Sequence, residues 1–185
     1  PSACITPQPS SRCLVDACHR QATTSVCISL YNYGDRIEHA LSTVHEQINA
    51  QTIELIVVND ASTDQGASVV ANWMQQNHEA FARCLLLEHE QNGGLASARN
   101  TAFAAATTEW CFVLDADNTI APETIARLQA VANNADEQCA VVHSLVRVLA
   151  DDTKADTRHL VSDRPWIRQL FEQSNYIDAM ALVRR

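Results

Sequence analysis

Four short apolar runs, each followed by a segment with the spacing of an amphipathic helix, constrain the fold of this chain more than any other feature. The runs are SVCISL (25–30), IELIVV (53–58), CLLLEH (84–89) and WCFVL (110–114). Strands that are apolar on both faces and alternate with helices are typical of a parallel sheet covered on both sides. The sequence therefore predicts an α/β domain, with a mostly parallel sheet flanked by helices on both faces.

The two ends of the chain differ from this alternating middle. Residues 1–24 carry three prolines and no periodicity, which predicts a disordered leader or linker before a domain over residues 25–185. Further on, we predict a strand over 140–149, a charged loop over 150–165, a helix over 166–173 and a final strand over 177–183. The chain stops on ALVRR without a closing element, so we expect a domain that is incomplete at its C-terminal end.

Charge and composition argue against several classes of function. The net charge is −9, which speaks against a groove for the nucleic acid backbone, and an anionic ligand would need a bridging cation. No apolar run approaches the roughly 20 residues of a membrane span, so we expect no span in this segment. Seven cysteines, several of them in apolar runs, favour a reducing compartment. We expect a cytoplasmic location, at the inner face of the membrane where regions outside these residues provide the attachment.

A zinc site is the alternative use of the N-terminal thiols. Cys4, Cys13, Cys18 and His19 lie close together in sequence, but they lack paired CxxC spacing. The rules of ligand spacing therefore favour free thiols on a flexible tail.

The polar segments that follow the four predicted strands are the candidate ligand site. They read YNYGDR (31–36), NDASTDQG (59–66), EQNGGLASARN (90–100) and DADN (115–118), and they contain all four glycines of the chain. In open parallel sheets, ligands bind beyond the carboxyl ends of the strands, where helix amino ends also point. Glycine permits close approach of the backbone to a ligand, although strand-to-helix turns also use it.

Asp115 and Asp117 form the sharpest feature of these segments. If the fourth strand persists through them, their side chains leave on the same face and converge. Two converging carboxylates favour a hard divalent cation such as Mg²⁺ or Mn²⁺, which takes one or two carboxylates together with phosphate oxygens of a substrate. The competing interpretation is a polar turn with a helix cap, because Asp and Asn are common at both positions.

Other polar residues of these segments have two interpretations each. Asp60 stands at a strand end, where it can accept a hydrogen bond from a ligand N–H, while Ser62 or Asp64 can cap the next helix. Arg99 lies on a helix of small residues and can approach a phosphate or pair with an acid. The histidines without the spacing of a metal site or a triad are predicted to be packing or surface residues: His89, His143 and His159.

The order of these segments resembles the inverting family 2 glycosyltransferases of the GT-A fold. The resemblance covers about residues 25–185 and rests on SVCISLYNYGDRI, IELIVVNDASTD and NGGLASARNTAFAAATTEWCFVLDADN. The segments occur in the expected order and at the expected separations, which is far more specific than one DxD pair.

The resemblance implies a role for each matching residue. The residues that border the nucleotide base would be Ser29, Tyr31 and Asn32, and Asp60 would accept from the base imide N–H. Along the donor nucleotide would lie Gly94 and Leu95, with Asp115 on the ribose and Asp117 on the divalent metal, Mn²⁺ or Mg²⁺. The reaction implied is transfer of a sugar, with inversion, from a nucleoside diphosphate sugar to a saccharide or lipid-linked acceptor, with a UDP-sugar as the favoured donor.

The sequence also departs from the family pattern. Ser29 stands where a proline is usual, and Asn59 and Ala61 stand where the family often has Asp and Gly. The segment NYIDAMALVRR resembles the strand before the family's catalytic acid, so we expect the general base beyond Arg185. Neither Asp163 nor Asp178 matches the usual context of that base.

Two other classes of protein are alternatives to an enzyme of this family. One is a non-catalytic domain that binds a nucleotide sugar, or serves assembly, within a larger polypeptide, and an acidic pair beyond Arg185 would argue against it. The other is a nucleotidyltransferase of similar shape. That class normally carries a Gly-rich basic phosphate loop near its first strand, for which YNYGDR is a poor substitute.

Overall fold

The computed structural model of the chain describes residues 9–148 and 159–185. The strands in these ranges are β1 (Ser11–Cys18), β2 (Thr24–Leu30), β3 (Ile53–Asn59), β4 (Arg83–His89), β5 (Trp110–Asp115), β6 (Val141–His143), β7 (Val146–Val148), β8 (His159–Val161) and β9 (Ala181–Arg184). The helices are α1 (Ile37–His45), α2 (Gly66–Asn77), α3 (Leu95–Ala105), α4 (Thr124–Asn133) and α5 (Arg168–Phe171).

Within the described ranges, seven strands form one sheet in the order β1-β4-β3-β2-β5-β9-β6. The pairs β4–β3, β3–β2 and β2–β5 are parallel, whereas β1, β9 and β6 add to this centre through antiparallel pairs. The predicted mostly parallel sheet is confirmed. Each central strand lies within a residue or two of its apolar run, because a strand buried on both faces tolerates little except apolar side chains.

Helices cover both faces of the sheet, as the apolar strands predicted. On one face α1, α2 and α4 bury side chains such as Leu41, Met74 and Ile125 against β2, β3 and β5. On the other face α3 packs through Ala98 and Ala102, which are both fully buried. Small residues at this helical spacing bring α3 close to the strands. The short connection from His89 to Leu95 places the amino end of α3 at the edge where the parallel strands finish.

A buried carboxylate ties three strands and a turn together on the sheet. Glu54 of β3 is fully buried and accepts hydrogen bonds from Ser25 Oγ at 2.6 Å, the Thr107 amide at 2.9 Å and Arg83 Nη1 at 2.9 Å. Arg83 also donates to both carboxylate oxygens of Asp16, at 2.8 and 2.9 Å. The desolvated charge of Glu54 is thus compensated by an ion pair and by neutral donors, as a buried carboxylate requires.

The expectation of a disordered leader over residues 1–24 is wrong for residues 11–18. These residues form β1, which pairs antiparallel with β4 along its whole length. The side chains of β1 are mostly exposed, so the strand has no apolar periodicity that a sequence pattern could detect. The backbone ladder and the pairs Arg12–Glu88 and Asp16–Arg83 hold the strand at the edge of the sheet. Residues 1–8, including Cys4 of the zinc alternative, lie outside the described residues.

The C-terminal part also differs from its predicted elements. The strand expected over 140–149 is divided into β6, which joins the main sheet, and β7, which pairs with β8 in a separate ladder. A loop was expected over 150–165, yet residues 159–161 are a strand, while 150–158 lie outside the described residues. The helix expected over 166–173 is shortened to Arg168–Phe171, and the final strand begins only at Ala181. None of the helices in the described ranges has the length and apolar character needed to cross a bilayer.

Candidate functional site

A cavity of about 450 Å³ lies at the carboxyl edge of the parallel strands. It is lined by seven of the eight residues that the sequence nominated: Ser29, Tyr31, Asp60, Gly94, Leu95, Asp115 and Asp117. Sequence reasoning missed further lining residues that supply shape or a side-chain amide: Leu30, Tyr33, Asn92, Ala98 and Ala116. The cavity thus lies at the edge of the sheet that the strand ends predict, although the sequence did not predict all of its lining residues.

Strand register explains why distant segments meet in this cavity. Ser29 of β2 pairs with Asp115 of β5, and Leu30 pairs with Asn59, the residue before Asp60. Parallel neighbours in register end at the same edge, so their loops enclose a common space. Tyr31 adds an aromatic ring that is 45% exposed and therefore accessible to a planar ligand.

Asp60 is buried beneath the cavity and held by donors from its own chain. Its Oδ1 accepts from His89 Nδ1 at 2.6 Å and from the Gly93 amide at 2.8 Å, and its Oδ2 accepts from the Gly94 amide at 2.7 Å. A carboxylate offers about four acceptor positions. Within the described part of the chain, donors fill three of them, so one position on Oδ2 is left for a ligand.

Gly94 has a backbone conformation that residues with a Cβ rarely adopt. Its φ is 83°, and no atom lies within 4 Å of the position that a Cβ would take. Left-handed backbone of this kind favours glycine, and here it turns the amide toward Asp60 immediately before α3 begins at Leu95. Gly94 and Leu95, at the amino end of this 11-residue helix, line the cavity, and the free amides of a helix amino end suit an anionic group.

His89 makes a hydrogen bond to Asp60 that the sequence did not predict. We expected packing or surface placement, and its side chain is indeed fully buried, yet its ring bonds two polar groups. Nδ1 contacts Asp60 and Nε2 lies 2.8 Å from Thr101 Oγ1 of α3. Its position at the last residue of β4 was the available signal, because that position borders the strand end of Asp60.

Asn32 is the nominated residue that does not line the cavity. Its φ is 57°, and its Oδ1 accepts from the Thr63 amide at 2.8 Å, so the side chain points into the neighbouring loop. In return, the Asn32 amide donates to Ser62 Oγ at 3.0 Å. Asp64 completes the connection by accepting from the Gly34 amide at 2.8 Å and from the Gly66 amide, at the start of α2, at 2.9 Å. These contacts join the loops that follow β2 and β3 into one unit.

The two aspartates of DADN have different environments. Asp115 Oδ1 accepts from Arg99 Nη2 at 2.8 Å. Of the two roles predicted for Arg99, contact with a phosphate or pairing with an acid, the structure shows the pairing. The assumption that the strand continues to Asp117 is wrong, because β5 ends at Asp115 and a turn follows, closed by the Asn118 amide on the Asp115 carbonyl at 3.1 Å. The turn does not cap a helix, since α4 begins only at Thr124.

The acids of the cavity suit a hard cation that keeps other oxygen ligands. Asp117 is exposed, lines the cavity and makes no ion pair with any described residue. The described residues contain no group of three or more His, Cys, Asp or Glu side chains that could hold a metal by themselves. Mg²⁺ and Mn²⁺ sites are commonly built from one or two carboxylates with substrate oxygens and water, so Asp117 fits such an ion when an oxygen-rich ligand is bound.

Comparison with known proteins identifies relatives of this arrangement. The chain is 32% identical over 132 residues to the uncharacterized glycosyltransferase alr2836 of Nostoc sp., which covers 71% of this chain and 39% of that protein. It resembles the mannosyltransferase PcManGT from Pyrobaculum calidifontis in complex with GDP-Man and Mn²⁺, with a TM-score of 0.59, 32% identity, and coverage of 66% of this chain and 35% of that one. For S. aureus TarS 1-349 in complex with UDP, the TM-score is 0.54, the identity 28% and the coverage 60% and 32%.

Both solved neighbours are glycosyltransferases of the GT-A fold, and the fold predicted from the resemblance is confirmed. The chain spans less than two fifths of the length of each of these three proteins. The family described as Glycosyl transferase family 2 matches residues 25–185, nearly the whole of the described chain. The chain therefore belongs to glycosyl transferase family 2.

Proposed function

We propose that this chain is the donor-binding domain of a glycosyltransferase that uses a nucleoside diphosphate sugar and a divalent cation, Mn²⁺ or Mg²⁺. The observation that carries the proposal is that Asp60, the amino end of α3 and Asp117 line one and the same cavity. These groups offer an acceptor for a base, amides for an anion and a carboxylate for a metal. The neighbours TarS, in complex with UDP, and PcManGT, in complex with GDP-Man and Mn²⁺, support a nucleotide and a divalent cation as the ligands.

The acceptor capacity of Asp60 favours uridine diphosphate over guanosine diphosphate. Uracil presents one imide N–H, which the remaining acceptor position on Oδ2 can satisfy. Guanine presents two adjacent N–H donors, and a carboxylate would need both oxygens to accept them. Since Oδ1 already accepts from both His89 and Gly93, the arrangement suits a single donor better. Tyr31, which is 45% exposed, provides a ring face for the same base.

Charge explains why a cation belongs to the proposal. Asp60, Asp115 and Asp117 all line the cavity, and a diphosphate would bring further negative charge. Arg99 already pairs with Asp115, so its charge is partly neutralised at that contact. In this proposal Asp117 holds the ion, which would neutralise the charge that develops on the leaving diphosphate. Asp115 accepts from the ribose through the oxygen that Arg99 does not occupy.

Transfer to an acceptor hydroxyl with inversion is the reaction that we propose for the whole protein. That step needs a carboxylate base to take the proton of the acceptor, a saccharide or a lipid-linked molecule. We assign the base to no residue of this chain. Asp178, for example, accepts from the Met180 amide at 2.8 Å, which is a turn contact.

Calorimetric titration of the chain with UDP, with and without Mn²⁺, tests this function. We expect binding at least about tenfold tighter with Mn²⁺, and we expect Asp117→Asn to lose most of that gain, because a neutral amide oxygen binds a hard cation more weakly than a carboxylate. Glu46→Gln is the matched control, since it removes the same charge at the far end of α1, next to its last residue His45. Equal affinity with and without the metal, or an unchanged gain in Asp117→Asn, would contradict the metal role. A chain that binds no nucleotide diphosphate would refute the whole proposal.

A further inference from the structure

Three side chains, Asp60, His89 and Thr101, form a series of hydrogen bonds that leads from the cavity into the protein interior. Asp60 contacts His89 at 2.6 Å and His89 contacts Thr101 at 2.8 Å, while the exposed fractions of the Asp60 and His89 side chains are 3% and 0%. Neither His89 nor Thr101 lines the cavity. Both are buried polar side chains whose hydrogen-bonding atoms are directed at one another and at Asp60.

The hydrogen bonds of Asp60, His89 and Thr101 fit one arrangement of their hydrogens. The Asp60 carboxylate also accepts from two backbone amides, so it acts as an acceptor toward His89, and Nδ1 carries the proton. In the neutral imidazole, Nε2 then accepts from the Thr101 hydroxyl. The hydrogen-bonding atoms of His89 thus each have a partner of the right kind in Asp60 and Thr101, as buried polar groups require.

These contacts, together with those from backbone amides, fix the orientation of the Asp60 carboxylate. Thr101 of α3 reaches Asp60 only through His89, whereas the amide of Gly94, the residue before α3, contacts Asp60 directly. Donors on both carboxylate oxygens prevent the carboxylate from rotating about its Cβ–Cγ bond. The acceptor position that remains on Oδ2 is thereby aimed in one direction.

We infer that His89 and Thr101 are positioning residues for the base subsite: they orient Asp60 so that it recognises a base that carries an imide N–H. The inference rests on the proposed function and deepens it, because it assigns base selectivity to buried residues that do not touch the ligand. A side chain that orients an acceptor affects only ligands that use that acceptor. A side chain that merely fills space affects all ligands of the cavity alike.

The test compares UDP with CDP, because uracil has a hydrogen on N3 whereas cytosine has an acceptor there. Dissociation constants of both nucleotides are measured with Mn²⁺ for the 185-residue chain and for two pairs of variants. His89→Leu removes both polar contacts, whereas His89→Asn keeps an N–H near the position of Nδ1. Thr101→Val removes the hydroxyl at similar volume, whereas Thr101→Ser keeps it.

We define the preference as the dissociation constant of CDP divided by that of UDP. We expect it to fall by about tenfold in His89→Leu, because the base would lose one well-oriented hydrogen bond to a charged group. We expect a fall of about threefold in Thr101→Val, while His89→Asn and Thr101→Ser stay close to wild type. In these variants the affinity for CDP should change much less than that for UDP. Melting curves identify any variant that does not fold.

Each other outcome has a definite meaning. If the affinities for UDP and CDP fall together, or if the preference is unchanged, His89 and Thr101 only pack, and the inference is overturned while the proposed function stands. If His89→Leu does not fold, the comparison of Thr101→Val with Thr101→Ser decides, and an equal preference in these two overturns the inference. If the wild-type chain binds neither nucleotide, the proposed function fails, and the inference fails with it.

Discussion

Replacing Ala61 by glycine should stabilise the protein, although the change removes a methyl group. Ala61 directly follows Asp60 and has a φ of 55°, in the left-handed region that residues with a Cβ adopt at a cost. Glycine has no Cβ and adopts the same backbone conformation without that cost. The side chain is only half-buried, so little packing is lost when it is removed.

The size of the effect follows from two opposing contributions. Left-handed backbone costs a residue with a Cβ about 1–2 kcal/mol, which Ala61→Gly would relieve. Glycine makes the unfolded chain more flexible, which costs about 0.4–1 kcal/mol. The free energy of unfolding should therefore rise by about 0.5–1 kcal/mol, and the melting temperature by about 2 °C for a chain of this size.

Thermal and urea denaturation of matched variants measure this effect. Ala130→Gly is the control, because Ala130 is exposed within α4, where glycine should lower the free energy of unfolding by about 1 kcal/mol. The two substitutions are chemically identical and should shift the melting temperature in opposite directions. A loss of stability in Ala61→Gly that equals the loss in the control would refute the assignment of strain to Ala61.

Further predictions concern the buried polar groups of the sheet. Glu54→Gln should lower the free energy of unfolding by about 2–4 kcal/mol in urea denaturation, because one carboxylate oxygen is replaced by a donor that faces other donors; a change below about 1 kcal/mol would contradict this. The hydrogen bond from Arg83 lowers the pKa of Asp16, so its stabilising contribution is present above the ordinary carboxyl pKa of about 3.9 and is lost as the pH falls through the folded value. Asp16→Asn should therefore differ most from wild type near pH 6, and a difference that does not shrink toward pH 3 would contradict the pairing. Burial raises the pKa of Cys84 to about 12, so iodoacetamide should label exposed Cys13 well before Cys84 in the native chain, as peptide mapping can show, and equal rates would argue against that burial.

The central strands were predictable because burial on both faces leaves a strong pattern. Every residue of β3 is buried, and all of its residues except Glu54 and Asn59 are apolar. The edge strand β1 left no such pattern, since backbone pairing and exposed ion pairs hold it instead. Residues 140–149 have the composition of one strand, but their two halves pair with different partners, a choice that depends on distant residues.

The position of the cavity could also be predicted, whereas the hydrogen bonds around it could not. The end of each parallel strand indicates one edge, and Asp60 and Asp115 indeed line one cavity there. Which donor meets which carboxylate depends on the register of β4 and α3 relative to β3, and no local pattern encodes it. For that reason the sequence predicts His89 only as a packing or surface residue. It predicts that Asn32 borders the nucleotide base, although the Asn32 side chain bonds the next loop.

A crystal structure of the chain with UDP and Mn²⁺ tests the central claim most directly. We predict the uracil N3 within about 3 Å of Asp60 Oδ2, as for a hydrogen bond between N–H and a carboxylate. We also predict the Mn²⁺ ion at about 2 Å from a carboxylate oxygen of Asp117, with the diphosphate supplying further ligands. A nucleotide bound away from Asp60, or a metal ion held on the diphosphate without Asp117, would contradict the account.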